Sequence, residues 1–498
     1  MEKTKISLKL LLVIAGLMLV LSISPVMADD SLASSESPKY QGDNQNTGQS
    51  TYTGPQTNQT QWNYTLNSSE TISITPAVGP DGTIYLPVHM RYKDDLRAIN
   101  PDGSLKWNYT IPYRSFNRIS GTPAVSQDGT IYVPGYYISD DPQYFGFILA
   151  LNPNGTFKWI YTNGGIDGCT SPAIGSDGTI YTAGYYQGLK GSVTGMYGVF
   201  YAINPNGTLK WRYDIPDQGN SYSYGAPAIG PDGTIYFTAE VAYYTITSRL
   251  YAFDPNGTLK WQKIINPNPS YYTNLRISPV VANDGTIFIT PQYYNYVDHT
   301  TVGYAFNPDG SEKWTSNYLH TLIRGLALAS DGTLYLTGWY EKENSRTGIL
   351  YAIGQDGTQK WNYTTDYPLN FNPVIGNDGT IYFGEDTVPD TLYALNRDGT
   401  LKWSLPVQTT TAPVIGASGA LYVGIVTDGL LGQVYSLLAI RSPYSPQDDP
   451  TSNNSNDPAN TVNAASKTIK MQETGLPINL MVLAVLMVLG GLIQTKRN

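Results

Sequence analysis

The chain has 498 residues, only 14% of them charged, with a formal net charge of −9 and a pI of about 4.9. That balance argues against a nucleic-acid partner, which calls for a basic stripe, and the single cysteine, Cys169, excludes a disulfide framework. The 41 tyrosines and 9 tryptophans offer much flat apolar surface for packing between repeated units.

At the N-terminus Lys3, Lys5 and Lys9 precede an apolar run from Leu10 to Ile23, and Val26-Met27-Ala28 has the small-residue pattern of a cleavage site. Residues 1–28 therefore read as a secretory signal peptide, with the mature chain starting at Asp29. Residues 29–61 form an N-terminal segment. Its first part, Asp29 to Lys39, is rich in serine and acidic residues and is expected to be disordered.

Residues 62–441 are built from one recurring stretch, seen in its clearest form from Tyr201 to Trp211. An apolar strand runs into Pro205, Asn206 and Gly207, which are expected to close a hairpin turn with positive φ at Asn206 and Gly207. Leu209 and Trp211 then share a face of the return strand, because strand side chains alternate. Equivalent tryptophans stand at Trp62, Trp107, Trp159, Trp211, Trp261, Trp314, Trp361 and Trp403, about 42 to 53 residues apart from Trp107 onward. Upstream of each lies a second turn signal of the form Asp-Gly-Thr-Ile-Tyr, starting at Asp81, Asp128, Asp177, Asp232, Asp284, Asp331 and Asp378. A degraded copy occupies Ser418 to Tyr422. Eight units of four short strands at this period describe an all-β, eight-bladed β-propeller. The repeated tryptophan is expected to be the plate between neighbouring blades, its indole N–H given to a backbone carbonyl. Trp62 has no complete blade before it, and the last blade ends at Ile440 without a tryptophan. The economical reading is that the N-terminal strand carrying Trp62 completes blade eight and closes the circle.

Residues 442–473 are dominated by Ser, Asn, Asp, Pro and Thr and read as a low-complexity linker. In residues 474–498 an apolar run from Leu476 to Ile493 precedes Lys496 and Arg497, which describes a C-terminal transmembrane helix with a basic cytoplasmic end. With a cleaved signal ahead of it, the propeller is expected at the cell surface, anchored in the cytoplasmic membrane.

Ala202-Ile203-Asn204 through Gly207 to Trp211 resembles the tryptophan-docking repeat of the pyrroloquinoline-quinone (PQQ) propellers, and the resemblance covers roughly Tyr40 to Ile440. Tyr40 to Gly48 is similar to the segment that leads into such propellers. The turn is one residue shorter than usual and carries Asn-Gly in place of Thr-Gly, a form typical of PQQ-like repeats without the cofactor. The resemblance implies a non-catalytic, cell-surface member of that family. PQQ dehydrogenases need Ca²⁺ ligands and a catalytic Asp inside the circle, and many need a vicinal Cys pair that one cysteine cannot form.

No catalytic, metal-binding or cofactor-binding residues are expected. His89, His299 and His320 fall in different blades without ligand spacing. Asp94-Asp95, Asp140-Asp141 and Asp448-Asp449 read as solvated charge in loops or linker. One non-structural feature stands out: paired aromatics following the Asp-Gly-Thr-Ile-Tyr strand, at Tyr136-Tyr137, Tyr185-Tyr186, Tyr243-Tyr244, Tyr293-Tyr294 and Trp339-Tyr340. Rotational equivalence is expected to gather them around one face, as an aromatic platform for a sugar or a protein. Sequons occur at Asn58, Asn63, Asn67, Asn108, Asn362 and Asn453, and those at Asn154, Asn206 and Asn256 are by-products of the Asn-Gly turn. The expected function is non-enzymatic binding, adhesion or scaffolding on an envelope glycan or protein. The alternative is a PQQ-dependent or other propeller oxidoreductase.

Overall fold

The computed structural model describes residues 31–442 apart from 34–36, 113–115, 139–143, 164–165, 191–192, 217–219, 223–224, 243–245, 266–271, 275–276, 295–298, 319–320, 343–344, 386–389 and 430–431. The expected signal peptide and C-terminal span lie outside these residues. Among the described residues no helix is long and apolar enough to cross a membrane.

The turn chemistry sets the local structure. In blade 3 the Gly207 N–H donates to Asn204 O at 2.9 Å, and the Asn204 N–H donates to Thr208 O at 2.7 Å. Gly207 has φ 85°, and a separate register shift follows between Ala202 and Ile203, where Lys210 is the extra residue on the return strand. This is a three-residue hairpin, a type I turn followed by a left-handed glycine that makes a bulge. The expectation of positive φ at both residues is corrected, since only the glycine adopts it. Asn206 instead offers its side-chain Oδ1 to the Thr208 N–H at 3.1 Å and hydroxyl at 2.7 Å, which locks the same turn from outside.

Eight antiparallel sheets result. Blade 1 runs outward from the axis as Ala77–Val78, Ile84–Val88, Asp95–Ile99 and Leu105–Thr110. The other blades repeat that order, with the innermost strand split ahead of Pro123, Pro172, Pro227, Pro279 and Pro413 in blades 2, 3, 4, 5 and 8. A proline has no N–H for the ladder, so the break falls there. Blade 8 is completed by the N-terminal strand: Thr60–Thr65 pairs with Gly432–Ile440, placing Trp62 opposite Ala439. Trp211 lies opposite Ala202 in the same register within blade 3. The closure read from the sequence is the closure found.

Each tryptophan is held from two sides. On one side it packs against the aromatic residue of its own Asp-Gly-Thr strand, as Tyr85 with Trp107 and Tyr181 with Trp211 at 5.9 and 6.0 Å between ring centroids. Trp62 pairs in this way with Tyr422 of blade 8, at 5.7 Å. On the other side the indole lies over the hairpin glycine of the next blade. A Cβ at Gly103, Gly155 or Gly207 would come within 2.7, 2.6 and 2.7 Å of Trp62, Trp107 and Trp159, so the positive φ and the close approach both demand glycine. The indole N–H then donates to the carbonyl at the proline position of that same turn, at 3.0 Å for Trp62 to Pro101 and 2.8 Å for Trp159 to Pro205, with Gln355 and Arg397 taking that position for Trp314 and Trp361. Trp403 faces blade 8, where the chain termini interrupt the pattern. It donates instead to Pro55 O at 2.9 Å, so the N-terminal segment supplies the missing turn as well as the missing strand.

Deleting residues 29–66 removes the outer strand of blade 8, the Trp62 plate and the Pro55 acceptor together, and leaves an unpaired sheet edge. Loss of Trp62 alone costs about 3 kcal/mol, the low end of the core Trp→Ala range because the ring is only half-buried. The truncated protein is expected to aggregate or to melt well below the full chain in a thermal scan. Equal melting temperatures would show that the circle closes without this strand.

Candidate functional site

Two places on a propeller ordinarily carry function, the axis and the face formed by the longer loops. Here the axis is filled by the chain itself. The inner strands present an equivalent last residue, and residues 37–48 satisfy these in blade order. Val78 N–H donates to Ser37 O at 2.7 Å and Val125 N–H to Pro38 O at 2.8 Å. Ile229 donates to Asn44 O, Val281 to Gln45 O, Leu328 to Thr47 O and Ile375 to Gly48 O, all between 2.6 and 2.9 Å. Blade 3 is reached by the Asn44 side chain, whose Nδ2 donates to Ile174 O at 2.7 Å, and blade 8 by Ser37 Oγ donating to Ile415 O at 3.1 Å. The expectation of disorder is therefore corrected for Ser31 to Ala33 and Ser37 to Lys39, the described part of that stretch. Ser31 to Ala33 run beside Val125 to Gln127, and Ser37 to Lys39 enter the axis. The inner strands carry backbone groups that need partners, and a polar segment rich in Asn and Gln supplies them. Composition alone reads such a segment as unstructured because its partners are remote in sequence.

At the centre sits Lys39, buried, with its ammonium directed at Tyr40 O and Asp43 O, each at 3.0 Å, and at Asn46 Oδ1. Burial pulls its pKa down to about 7, against the attraction of Asp43. Burial likewise raises the Asp43 carboxyl above the usual carboxylate range, opposed by the Thr47 hydroxyl and amide that it accepts. Asn46 is fully buried at φ 58°, and its Nδ2 reaches Pro227 O and Pro279 O at 3.2 and 3.0 Å. These axial residues do not fit a quinone cofactor, because the inner-strand amides and the polar groups between them are engaged by the plug.

The polar residues of the repeat are likewise engaged with one another. Each Asp-Gly-Thr aspartate accepts from its own Thr, and the lysine before the tryptophan bridges both, as Lys210 does to Asp177 Oδ2 at 2.7 Å and Thr179 Oγ1 at 2.9 Å, except that Lys360 reaches only Thr333 and Arg397 pairs with Asp331. The sequon residues Asn58, Asn63, Asn67, Asn108 and Asn362 are all exposed. Asn63, Asn108 and Asn362 directly follow their tryptophans on outer strands, and the Asn108 amide donates to Asp95 at 3.0 Å. At Asn154 and Asn206 the side-chain oxygen is taken by the turn threonine.

The aromatic pairs continue the second strand of their blades. Tyr136 and Tyr137 lie in Ile131–Ile138, Tyr185 and Tyr186 in Ile180–Lys190, and Trp339 and Tyr340 in Leu334–Lys342. All lie toward the hairpin between the second and third strands, on the face opposite the Asp-Gly-Thr and Asn-Pro turns. Tyr293 and Tyr294 hold the same place in Gln292–Tyr294, while Tyr243 and Tyr244 lie outside the described residues. Strand alternation sends the two members of a pair to opposite sides of the blade. Tyr137 stacks on Phe145 at 5.1 Å and packs against the cluster between blades 1 and 2. Tyr186 packs against Tyr197 and between blades 2 and 3, with the Arg212 guanidinium 5.7 Å from its centroid. Trp339 is buried under Arg346, at 4.5 Å. Tyr136, Tyr185 and Tyr340 are half-buried.

One acidic pair is not solvated charge, which corrects that expectation for Asp94-Asp95. Asp94 is fully buried and accepts from His89 Nδ1 at 2.6 Å, Arg118 at 2.6 Å and the Ile119 N–H at 2.7 Å. Asp95 is buried beside Arg97, which also holds Glu70 through two hydrogen bonds. The partners Arg118 and Glu70 come from other segments, so nothing local to residues 94–95 foretold the burial. His299 opens the strand His299–Phe306, and His320 and Asp140-Asp141 lie outside the described residues, as does Asp448-Asp449.

These features define a class: a closed eight-bladed propeller with tryptophan-docked blades and an axis filled by its own N-terminal segment. Residues 298–440 match the family model described as "Outer membrane protein assembly factor BamB" of the PQQ_2 type. That stretch is similar to the PQQ-like propellers, and the eight-bladed all-β fold agrees with the resemblance. No curated protein matches the chain. Similar solved structures include the Dos1 propeller, at 9% identity and TM-score 0.44, covering 80% of this chain and 85% of that one. A Bacteroides caccae protein of unknown function aligns at 13% identity and TM-score 0.32, over 54% and 90% of the two chains. A prolyl endopeptidase aligns at 11% identity and TM-score 0.44, over 75% of this chain and 55% of its own.

The buried Lys39 makes stability pH-dependent with a definite sign. Between about pH 7 and its ordinary value of 10.5, the unfolded chain binds a proton that the folded protein does not, so stability rises with pH across that window. Asp43 acts in the opposite sense at the acid end, contributing stability below its ordinary 3.8 and losing it as pH rises through its raised value. Lys39→Met strands three buried acceptors and is expected to lower stability throughout. Denaturant midpoints measured from pH 7 to pH 10 should rise in the parent and stay flat in the variant. Parallel curves would remove Lys39 as the titrating group.

Proposed function

We propose that the protein is an exported, membrane-tethered propeller that acts as a non-enzymatic binding or scaffold module for an envelope glycan or protein. The observation that carries this reading is the filled axis, where chemistry would have to be housed in a propeller of this family. Further support comes from the repeat side chains, whose polar groups bond to one another, and from the family match, whose description is that of an assembly factor. The signal-like residues 1–28 and the apolar run in residues 474–498 support export and anchorage. Binding then falls to the loop face, where the half-buried Tyr136, Tyr185 and Tyr340 offer planar rings with a hydroxyl, suited to sugar faces and adaptable protein contacts.

Tyr136→Ala with Tyr185→Ala should weaken capture of envelope material while moving the melting temperature little. Tyr137→Ala with Tyr186→Ala removes packing between blades and should destabilise by about 1–3 kcal/mol per site. If the first variant binds like the parent, the aromatic face is packing alone. Titration with PQQ and Ca²⁺ should leave the visible spectrum that of free PQQ; a stoichiometric bound spectrum would overturn the non-enzymatic reading.

Topology is tested on intact cells. Protease should release a soluble propeller by cutting within residues 442–473. Protection of that linker would place the propeller on the inner side of the membrane.

A further inference from the structure

Blade 1 carries no aromatic pair. At the equivalent position its second and third strands are joined by His89-Met90-Arg91-Tyr92-Lys93-Asp94. Blade 2 pins this hairpin from its inner strand Phe116–Ile119. The Arg118 guanidinium donates to the carbonyls of Met90 and Arg91, the Asn117 N–H donates to Tyr92 O at 3.0 Å, and the Asn117 side chain accepts the Asp94 N–H at 2.9 Å. The Asp94 carboxylate ties the base of the hairpin to Arg118, Ile119 and His89. These tethers turn an exposed loop into a fixed support.

What they hold outward is unusual for an acidic protein. Arg91, Tyr92 and Lys93 are all exposed, Tyr92 to 54%, with the Arg91 guanidinium 5.1 Å from the centroid of its ring. The two acids of the hairpin base, Asp94 and Asp95, are buried against Arg118 and Arg97 and lend the tip no neutralising charge. The repeat lysines are mostly matched to aspartates, as in Lys106 with Asp81 and Lys402 with Asp378. Arg91 and Lys93 have no ion-pair partner among the described residues.

We propose that this hairpin is a docking point for an acidic polysaccharide, with Tyr92 stacking on a sugar face and Arg91 and Lys93 receiving carboxylates on flanking residues. A pinned loop loses little conformational freedom on binding. A flat ring between two cations fits a polymer that alternates pyranose faces with charge better than an acidic peptide, which lacks the planar apolar face. The assignment depends on the binding reading above only for the existence of a ligand, and it names a different surface.

The test uses the detergent-solubilised full chain and sodium polygalacturonate. The wild type should bind it at low salt, lose most of that binding at high salt, and bind the methyl-esterified polymer at least about tenfold more weakly. Arg91→Ala with Lys93→Ala, and separately Tyr92→Ala, should each weaken binding by about tenfold or more with an unchanged melting temperature. Failure of the wild type to bind polygalacturonate would overturn the proposal, as would a double variant that binds it normally. Equal binding of poly-glutamate, or of phosphatidylserine vesicles, would reassign the hairpin to acidic protein or to lipid. Capture of envelope material by the Tyr136/Tyr185 face, measured in parallel, separates the two proposals: if that capture persists while polygalacturonate fails, only the hairpin assignment falls.

Discussion

The contact between an indole and a glycine of the next blade governs the rest of this molecule. A four-stranded antiparallel sheet cannot bury both of its faces, so each blade depends on its neighbours. The tryptophan supplies a broad apolar plate, but the plate seats only because the opposing turn ends in a left-handed glycine with no Cβ to hold it off. The indole N–H then fixes the height of one blade on the next through a single carbonyl acceptor. Shape, backbone conformation and hydrogen bond agree at seven of the eight junctions, all but that of Trp403, which is why the short turn and the tryptophan recur together.

Repetition creates a problem at the seam. Eight identical junctions require an eighth turn and an eighth outer strand, yet the chain must begin and end somewhere. The N-terminal segment resolves this with three consecutive uses of its length. It threads the axis at residues 37–48, offers Pro55 to Trp403 in place of the absent turn, and becomes the outer strand of blade 8 at Thr60–Thr65. The axis and the seam are thus closed by one piece of chain. The amides at the ends of the inner strands are taken up by that segment, and Lys39 sits in a buried site of its own making.

In the proposed binding reading, the same packing leaves the periphery to carry function. The Asp-Gly-Thr and Asn-Pro turns are occupied with holding blades together, and they lie on one face. The opposite face carries the hairpins between second and third strands, which differ from blade to blade because the repeated tryptophan junction does not use them. The paired aromatics and the pinned Arg91-Tyr92-Lys93 tip both stand there, the first half-absorbed into packing, the second held clear of it.

Much of this was legible in the residues. The period of the Asp-Gly-Thr and tryptophan signals determines strand, turn and blade number, because turn chemistry and strand alternation are local properties. The spare strand at Trp62 and its missing counterpart after Ile440 determine the closure by simple complementarity. The local signals went astray where a residue's partner lies far along the chain. Asp94 reads as solvated charge until Arg118 of the next blade is brought beside it, and Ser37 to Lys39 read as disordered until eight inner strands converge on them. Tyr136 and Tyr137 look alike in sequence and both are half-buried, and only the sheet, which sends neighbouring side chains to opposite faces, seats Tyr137 on Phe145 and the cluster between blades 1 and 2. Local propensity is written in the sequence itself, whereas burial and pairing between remote segments exist only once the propeller has closed.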